Sequence, residues 1–143
     1  MQKIIFIILS CFLLSACELE MSDNGKLDGN WQLRQTDTVS TGGICDMSRS
    51  YIYWAFENDL LLVRDIDNGN LKILFRFEKK GNELYIHSPH FVVTKDELTA
   101  LENDSLLSPL GIADIEDHFF FEELSNGSLV IKNESYRLHF RKY

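Results

Sequence analysis

Basic residues are scarce in this chain: 14 Lys and Arg face 22 Asp and Glu among 143 residues, for a formal net charge of -8. Neutralising the phosphates of a nucleic acid requires clustered cations, and no such cluster occurs, which argues against a nucleic-acid partner. There are two prolines and three cysteines. No apolar run approaches the roughly 20 residues that a membrane-spanning helix needs. Internal repeats and low-complexity segments are missing. So are the Gly-x-Ser-x-Gly, His-Glu-x-x-His, phosphate-loop and dinucleotide signatures, which leaves no visible catalytic machinery and implies a protein that is not an enzyme. What remains is 45% hydrophobic, 12% aromatic and 25% charged, a composition and length that suit one globular domain.

The first residues are of a different kind. Lys3 precedes a largely apolar stretch from Ile4 to Leu14, which has the layout of a secretory signal. Leu14-Ser15-Ala16-Cys17 then resembles the lipobox of bacterial lipoproteins. That resemblance implies cleavage after residue 16, lipidation of Cys17 and a partner in the membrane itself, held by several acyl chains at roughly 0.8 kcal/mol per buried methylene. Loss of residues 1–16 leaves 13 basic and 22 acidic residues, a net charge of -9. Cys11 leaves with the leader and Cys17 carries lipid, so Cys45 stands alone, no internal disulfide forms, and packing as a small hydrophobe is expected for it. Residues 17–26, with Ser22, Asp23, Asn24 and Gly25, read as a polar tether, and residues 27–143 as the folded domain.

Within that domain the pattern is strand after strand: Trp31 to Thr36, Tyr51 to Glu57, Leu60 to Ile66, Leu71 to Glu78, Glu83 to His87, His118 to Leu124, Leu129 to Lys132 and Ser135 to Lys142. Leu71, Ile73, Phe75 and Phe77 share one face, opposite Lys72, Arg76 and Glu78; Tyr136, Leu138 and Phe140 alternate with Arg137, His139 and Arg141. Asn68-Gly69 and Asn126-Gly127 are hairpin signals, because these residues tolerate the positive φ of tight turns. Between strands five and six, Thr94-Lys95-Asp96-Glu97 has the form of a capping box, followed by Leu98 and Leu101 on one helical face, so a short helix from Lys95 to about Glu102 is expected. Eight antiparallel strands with short turns escape exposed edges by closing, which predicts an all-β fold: a single eight-stranded antiparallel up-and-down barrel with one short helix between strands five and six.

Gly29-Asn30-Trp31 at the start of the first strand resembles the G-x-W signature of lipocalins and related calycins. That family closes the bottom of its barrel with the tryptophan and packs an arginine of the last strand over it, which implies Trp31 and Arg141 as the pair. Together with the lipobox and the strand count, the chain resembles the small lipocalin-like lipoproteins of Bacteroidetes, which implies the cell envelope, most naturally the outer membrane. An aromatic-rich barrel suits a small apolar or amphipathic ligand, with Tyr53, Phe75, Phe77, Tyr136 and Phe140 as candidate lining residues; the same rings also suit a filled barrel that docks an envelope protein or inhibits one. The facing of Trp54 and Phe119 is ambiguous from strand parity.

His87 and His90 are spaced for two metal ligands with Asp96 or Glu97 nearby, but Pro89 between them and the absence of a cysteine pair favour no metal and no cofactor. The carboxylates Asp65, Asp67, Asp114, Glu116, Asp117, Glu122 and Glu123 read as a solvated face. Asp37-Thr38-Val39 and Asp104-Ser105-Leu106 resemble the Asp-Ser/Thr-apolar sites at which Bacteroidetes attach O-glycans, implying Thr38 and Ser105 as acceptors.

Overall fold

Ten antiparallel strands succeed one another in a computed structural model that describes residues 24–143. They are β1 (Gly29–Thr38), β2 (Ile44–Asp46), β3 (Ile52–Glu57), β4 (Leu60–Asp65), β5 (Leu71–Lys80), β6 (Glu83–Thr94), β7 (Glu97–Ala100), β8 (Asp117–Leu124), β9 (Ser128–Lys132) and β10 (Tyr136–Lys142). Strand order is β10-β9-β8-β6-β5-β4-β3-β1, and β10 pairs back onto β1, so eight strands close into a barrel. All eight expected strands are present in the expected order.

Period-two patterning explains the inside. Along β5, Ile73, Phe75 and Phe77 are buried while Arg76 and Glu78 face water; along β10, Leu138 and Phe140 are buried. Bulges between Leu33 and Gln35, Leu74 and Arg76, and Phe121 and Glu123 bend their strands, as closing a small barrel requires. The Asn-Gly turns differ from one another. Gly69 and Asn70 take positive φ (62° and 55°). The second turn instead closes through Ser125, whose backbone N–H donates to Ser128 O at 2.9 Å and whose hydroxyl accepts from Ser128 N at 3.0 Å.

The extra strands sit at one end. β2 pairs with the far half of β1, and β7 pairs with the far half of β6, beyond the reach of β3 and β8. β7 replaces the expected helix. Thr94 to Glu97 is the hairpin turn, in which the Thr94 hydroxyl accepts from Asp96 N at 3.4 Å, a local bond that a capping box and a hydroxyl-closed turn share. Only Leu98 and Leu101 were available as an apolar helix face, and in the structure Leu98 is exposed. The unpaired upper half of β6 needs backbone partners, and a returning strand supplies them.

The connections 39–51, 66–70, 95–116 and 133–135 lie at this same end, the mouth; the chain enters at the opposite, closed end through a 3-10 turn at Gly25–Leu27.

Candidate functional site

The closed end is held by a cation over a ring, but the cation is not the expected one. β1 and β10 pair Trp31 with Lys142 and Gln32 with Arg141. Directly opposed residues in an antiparallel pair point to the same face, so Lys142 joins Trp31 inside and Arg141 projects into solvent. The Lys142 ammonium lies 4.4 Å from the Trp31 ring centroid and donates to the carbonyl of Asp28. The indole N–H of Trp31 donates to Leu27 O at 2.8 Å. Gly29 has φ 116°, and a Cβ built on it would lie 2.7 Å from Lys142 Nζ, so the glycine of G-x-W is the opening through which the lysine crosses.

The interior is filled. Trp54, whose facing was ambiguous, is fully buried, and so is Phe119. The Trp54 ring meets Phe140 at 5.1 Å, Phe119 at 5.8 Å and Phe56 at 6.3 Å between centroids, and Phe56 meets Phe77 edge-on at 5.2 Å. The candidate lining residues Phe75, Phe77 and Phe140 are members of this cluster, and Tyr136 packs partly buried against it. Tyr53 does not belong with them. It alternates with Ile52 and Trp54, faces outward and is covered by Tyr143 at 5.1 Å and the Arg64 guanidinium at 5.5 Å. Among the described residues two inward-facing polar atoms are buried without a hydrogen-bond partner: the indole N–H of Trp54, enclosed by phenyl rings, and Thr36 Oγ1, opposite Leu138.

Over the mouth lies a lid. Residues 101–113 contain 3-10 turns at Asp104–Leu106 and Ser108–Leu110, and Leu101, Leu107, Leu110 and Ile112 pack into the core cluster. Gly111 (φ 85°) lies so close to β10 that a Cβ would sit 2.4 Å from Leu138 Cδ2. A buried polar pair pins the lid. Asn133 donates through Nδ2 to Asp117 Oδ2 at 2.8 Å, and the same oxygen accepts from Ala113 N at 2.9 Å; Asn133 Oδ1 accepts from Ser135 N and Tyr136 N. Burial pushes the Asp117 carboxyl above its ordinary pKa, against the lowering effect of those donors. Ser108 Oγ and Tyr136 Oη, 3.0 Å apart, share a further hydrogen bond. Sequence reasoning missed this lid because it has no regular period; the buried leucines and Ile112 were its only signal.

A cleft of about 430 Å³ opens beside the lid, lined by Ala113, Asp114, Glu116, Asp117, His118, Glu134 and Ser135. The other three histidines are dispersed: His87 Nδ1 lies 2.9 Å from Ser88 Oγ, His90 Nδ1 lies 2.8 Å from Ser88 O, and His139 bonds Asp37 at 2.7 Å. His118 itself stacks on Tyr85 on the outer wall, with His87 on the ring's other side. Among the described residues no three His, Cys, Asp or Glu side chains converge as metal ligands do. Cys45 lies exposed on β2, where hydrophobic packing was expected, with its Sγ 3.5 Å from Met47 Sδ. Thr38 is the last residue of β1, half-buried opposite Tyr136, whereas Ser105 is exposed on the lid. Cys17 lies outside the described residues.

A lipocalin-like domain profile matches residues 12–143, nearly the whole chain. The chain belongs to the lipocalin-like domain family. Two solved structures share the barrel of this lipocalin-like protein. A lipocalin-like protein from Bacteroides uniformis aligns with a TM-score of 0.64 at 24% identity, over 83% of this chain and 100% of that one. An uncharacterized protein from Bacteroides eggerthii aligns with a TM-score of 0.56 at 19% identity, over 82% of this chain and 99% of that one. No curated protein matches. Relative to the arginine expected over the family's tryptophan, this lipocalin-like protein uses Lys142.

Proposed function

We propose that this lipocalin-like protein is a lipid-anchored binding module of the bacterial envelope, most naturally of the outer membrane, whose working surface is the capped mouth of a filled barrel. It acts by docking an envelope protein and not by catalysis. The observation that carries this reading is the occupied interior: Trp54, Phe56, Phe119 and Phe140 meet ring to ring, and lid leucines close the top. Side-chain contacts of this kind occupy the space inside the barrel in which a carrier would hold its ligand. The lipobox supplies the anchor. With Cys17 acylated, seven residues reach Asn24 at the closed end, a span of at most about 25 Å, so that end sits near the bilayer and the mouth points away from it.

A second reading has one observation in its favour. The unpartnered Trp54 N–H and a lid of leucines suit an apolar molecule bearing one acceptor, entering as the lid lifts. The two separate in cells. A photo-crosslinker replacing Leu98 at the mouth should capture a protein, and one replacing Tyr85 on the wall should not. Equal capture, or none at the mouth, sinks the docking reading. Labelling with a tagged fatty acid should mark the wild type and spare Cys17→Ala; a variant that keeps the label overturns the anchor.

A further inference from the structure

The net charge of the described domain is concentrated at one end. The mouth segments 39–51, 66–70, 95–116 and 133–135 hold nine carboxylates, including Asp96, Glu97, Glu102 and Asp104, against two cations, Arg49 and Lys95. Residues 24–143 outside these segments hold ten acidic and eleven basic side chains, so the wall and closed end are close to neutral. The ion pairs Arg76–Asp59 and Arg137–Glu122, and the hydrogen-bonded contact of His139 with Asp37, engage none of the mouth's carboxylates.

Exposed apolar side chains gather at the same end. Of nine large exposed hydrophobics among the described residues, six lie in the mouth segments and a seventh, Val93, in the adjoining end of β6; Ile44 is 71% exposed, Leu98 51%, and Tyr51, Ile66 and Leu106 accompany them. Such side chains scattered singly need no explanation, but their confinement to one end does. β2 and β7, which carry Ile44 and Leu98, are sheet-edge strands, each with one hydrogen-bonded neighbour among the described residues. An extended segment can pair with such an edge.

Apolar anchors inside an acidic field select their occupant by charge. An anionic bilayer or another copy of this acidic mouth is repelled, and a cationic segment is attracted and steered. We propose that the mouth binds a lysine- or arginine-rich segment of a partner protein that also carries apolar side chains, with Ile44 and Leu98 as anchors and the lid and β7 carboxylates as its counter-charges. This rests on the docking reading above and names the partner's chemistry.

The test uses the full-length protein in neutral detergent and a fluorescein-labelled 12-residue peptide alternating Lys and Leu, with a Glu/Leu peptide and empty micelles as controls. Anisotropy should show binding of the Lys/Leu peptide alone, weakening steeply as salt shortens the screening length. A mouth variant carrying Asp96→Asn, Glu97→Gln, Glu102→Gln and Asp104→Asn should lose about tenfold or more in affinity, as should Ile44→Ser/Leu98→Ser. A wall variant that removes the same charge through Glu57→Gln, Glu78→Gln, Glu83→Gln and Glu123→Gln should stay within about twofold. Equal losses in the mouth and wall variants, or equal binding of both peptides, overturn the proposal. Absence of peptide binding while the Leu98 crosslinker still captures a protein refutes the cationic class and leaves the docking reading standing. Failure of both refutes the docking reading itself.

Discussion

Replacing Gly29 by alanine should uncouple the closed end of the barrel, and the structure says by how much. At φ 116° an L-residue is strained, at a cost of roughly 1–3 kcal/mol. The new methyl would lie 2.7 Å from Lys142 Nζ and 2.9 Å from its Cε, so the lysine must leave. Its departure gives up the stacking on Trp31, about 0.5–2 kcal/mol, and its hydrogen bond to Asp28 O, about 1 kcal/mol after exchange with water. Gly29→Ala should therefore cost about 2.5–6 kcal/mol in urea unfolding of the purified protein, with an unchanged m-value. Lys142→Ala alone should cost about 1–3 kcal/mol. Because both substitutions remove the same contacts, the double variant should fall short of the sum by about 1.5–3 kcal/mol. A double variant additive to within about 0.5 kcal/mol would refute the idea that Gly29 exists to admit Lys142. Arg141→Ala, outside the pair, should lie within about 0.5 kcal/mol of wild type.

The remaining expectations concern the interior and the lid. Phe140→Ala should cost about 3–5 kcal/mol by opening a cavity against Trp54, measured by thermal or urea unfolding; a cost under about 1 kcal/mol would mean that the barrel was not packed there. Gly111→Ala, with its methyl driven into Leu138, should loosen the lid, seen as faster amide exchange in residues 101–113 than in β5; unchanged exchange contradicts the close fit. Asp117 has a folded pKa above its unfolded value, so its contribution to stability is fully present below about pH 3.8 and is lost as pH rises through the folded pKa. The stability difference between wild type and Asp117→Asn should accordingly shift against the wild type across that window and level off above it. A difference that moves the other way would mean that the donors to Asp117, Asn133 Nδ2, Ala113 N and His118 N, outweigh its burial.

Most of the barrel was legible because its determinants are local. Ile73, Phe75 and Phe77 alternate with charged neighbours, and turn residues separate the strands, so eight strands and their order follow from period-two patterning. Two elements were not legible. β7 was hidden because Thr94 to Glu97 satisfies the chemistry of a helix start and of a hairpin turn alike, and the decision falls to the unpaired edge of β6, which is a tertiary fact. The lid was hidden because its leucines have no period. At the closed end, G-x-W located the tryptophan correctly, but the choice between Arg141 and Lys142 depends on a one-residue register, and a slip of one reverses which side chain faces inward. Tyr53 failed as a lining residue for the same reason of parity: its neighbours Ile52 and Trp54 take the inward positions.

In the function proposed above, the barrel holds its own side chains and works from its mouth. Native mass spectrometry of the protein purified gently from its own envelope, with organic extraction of the same sample, tests it most directly. The expected mass is that of the acylated chain alone, with an extract free of any stoichiometric small molecule. A retained apolar compound, present one per chain and lost on substituting Phe140 or Trp54, would contradict it.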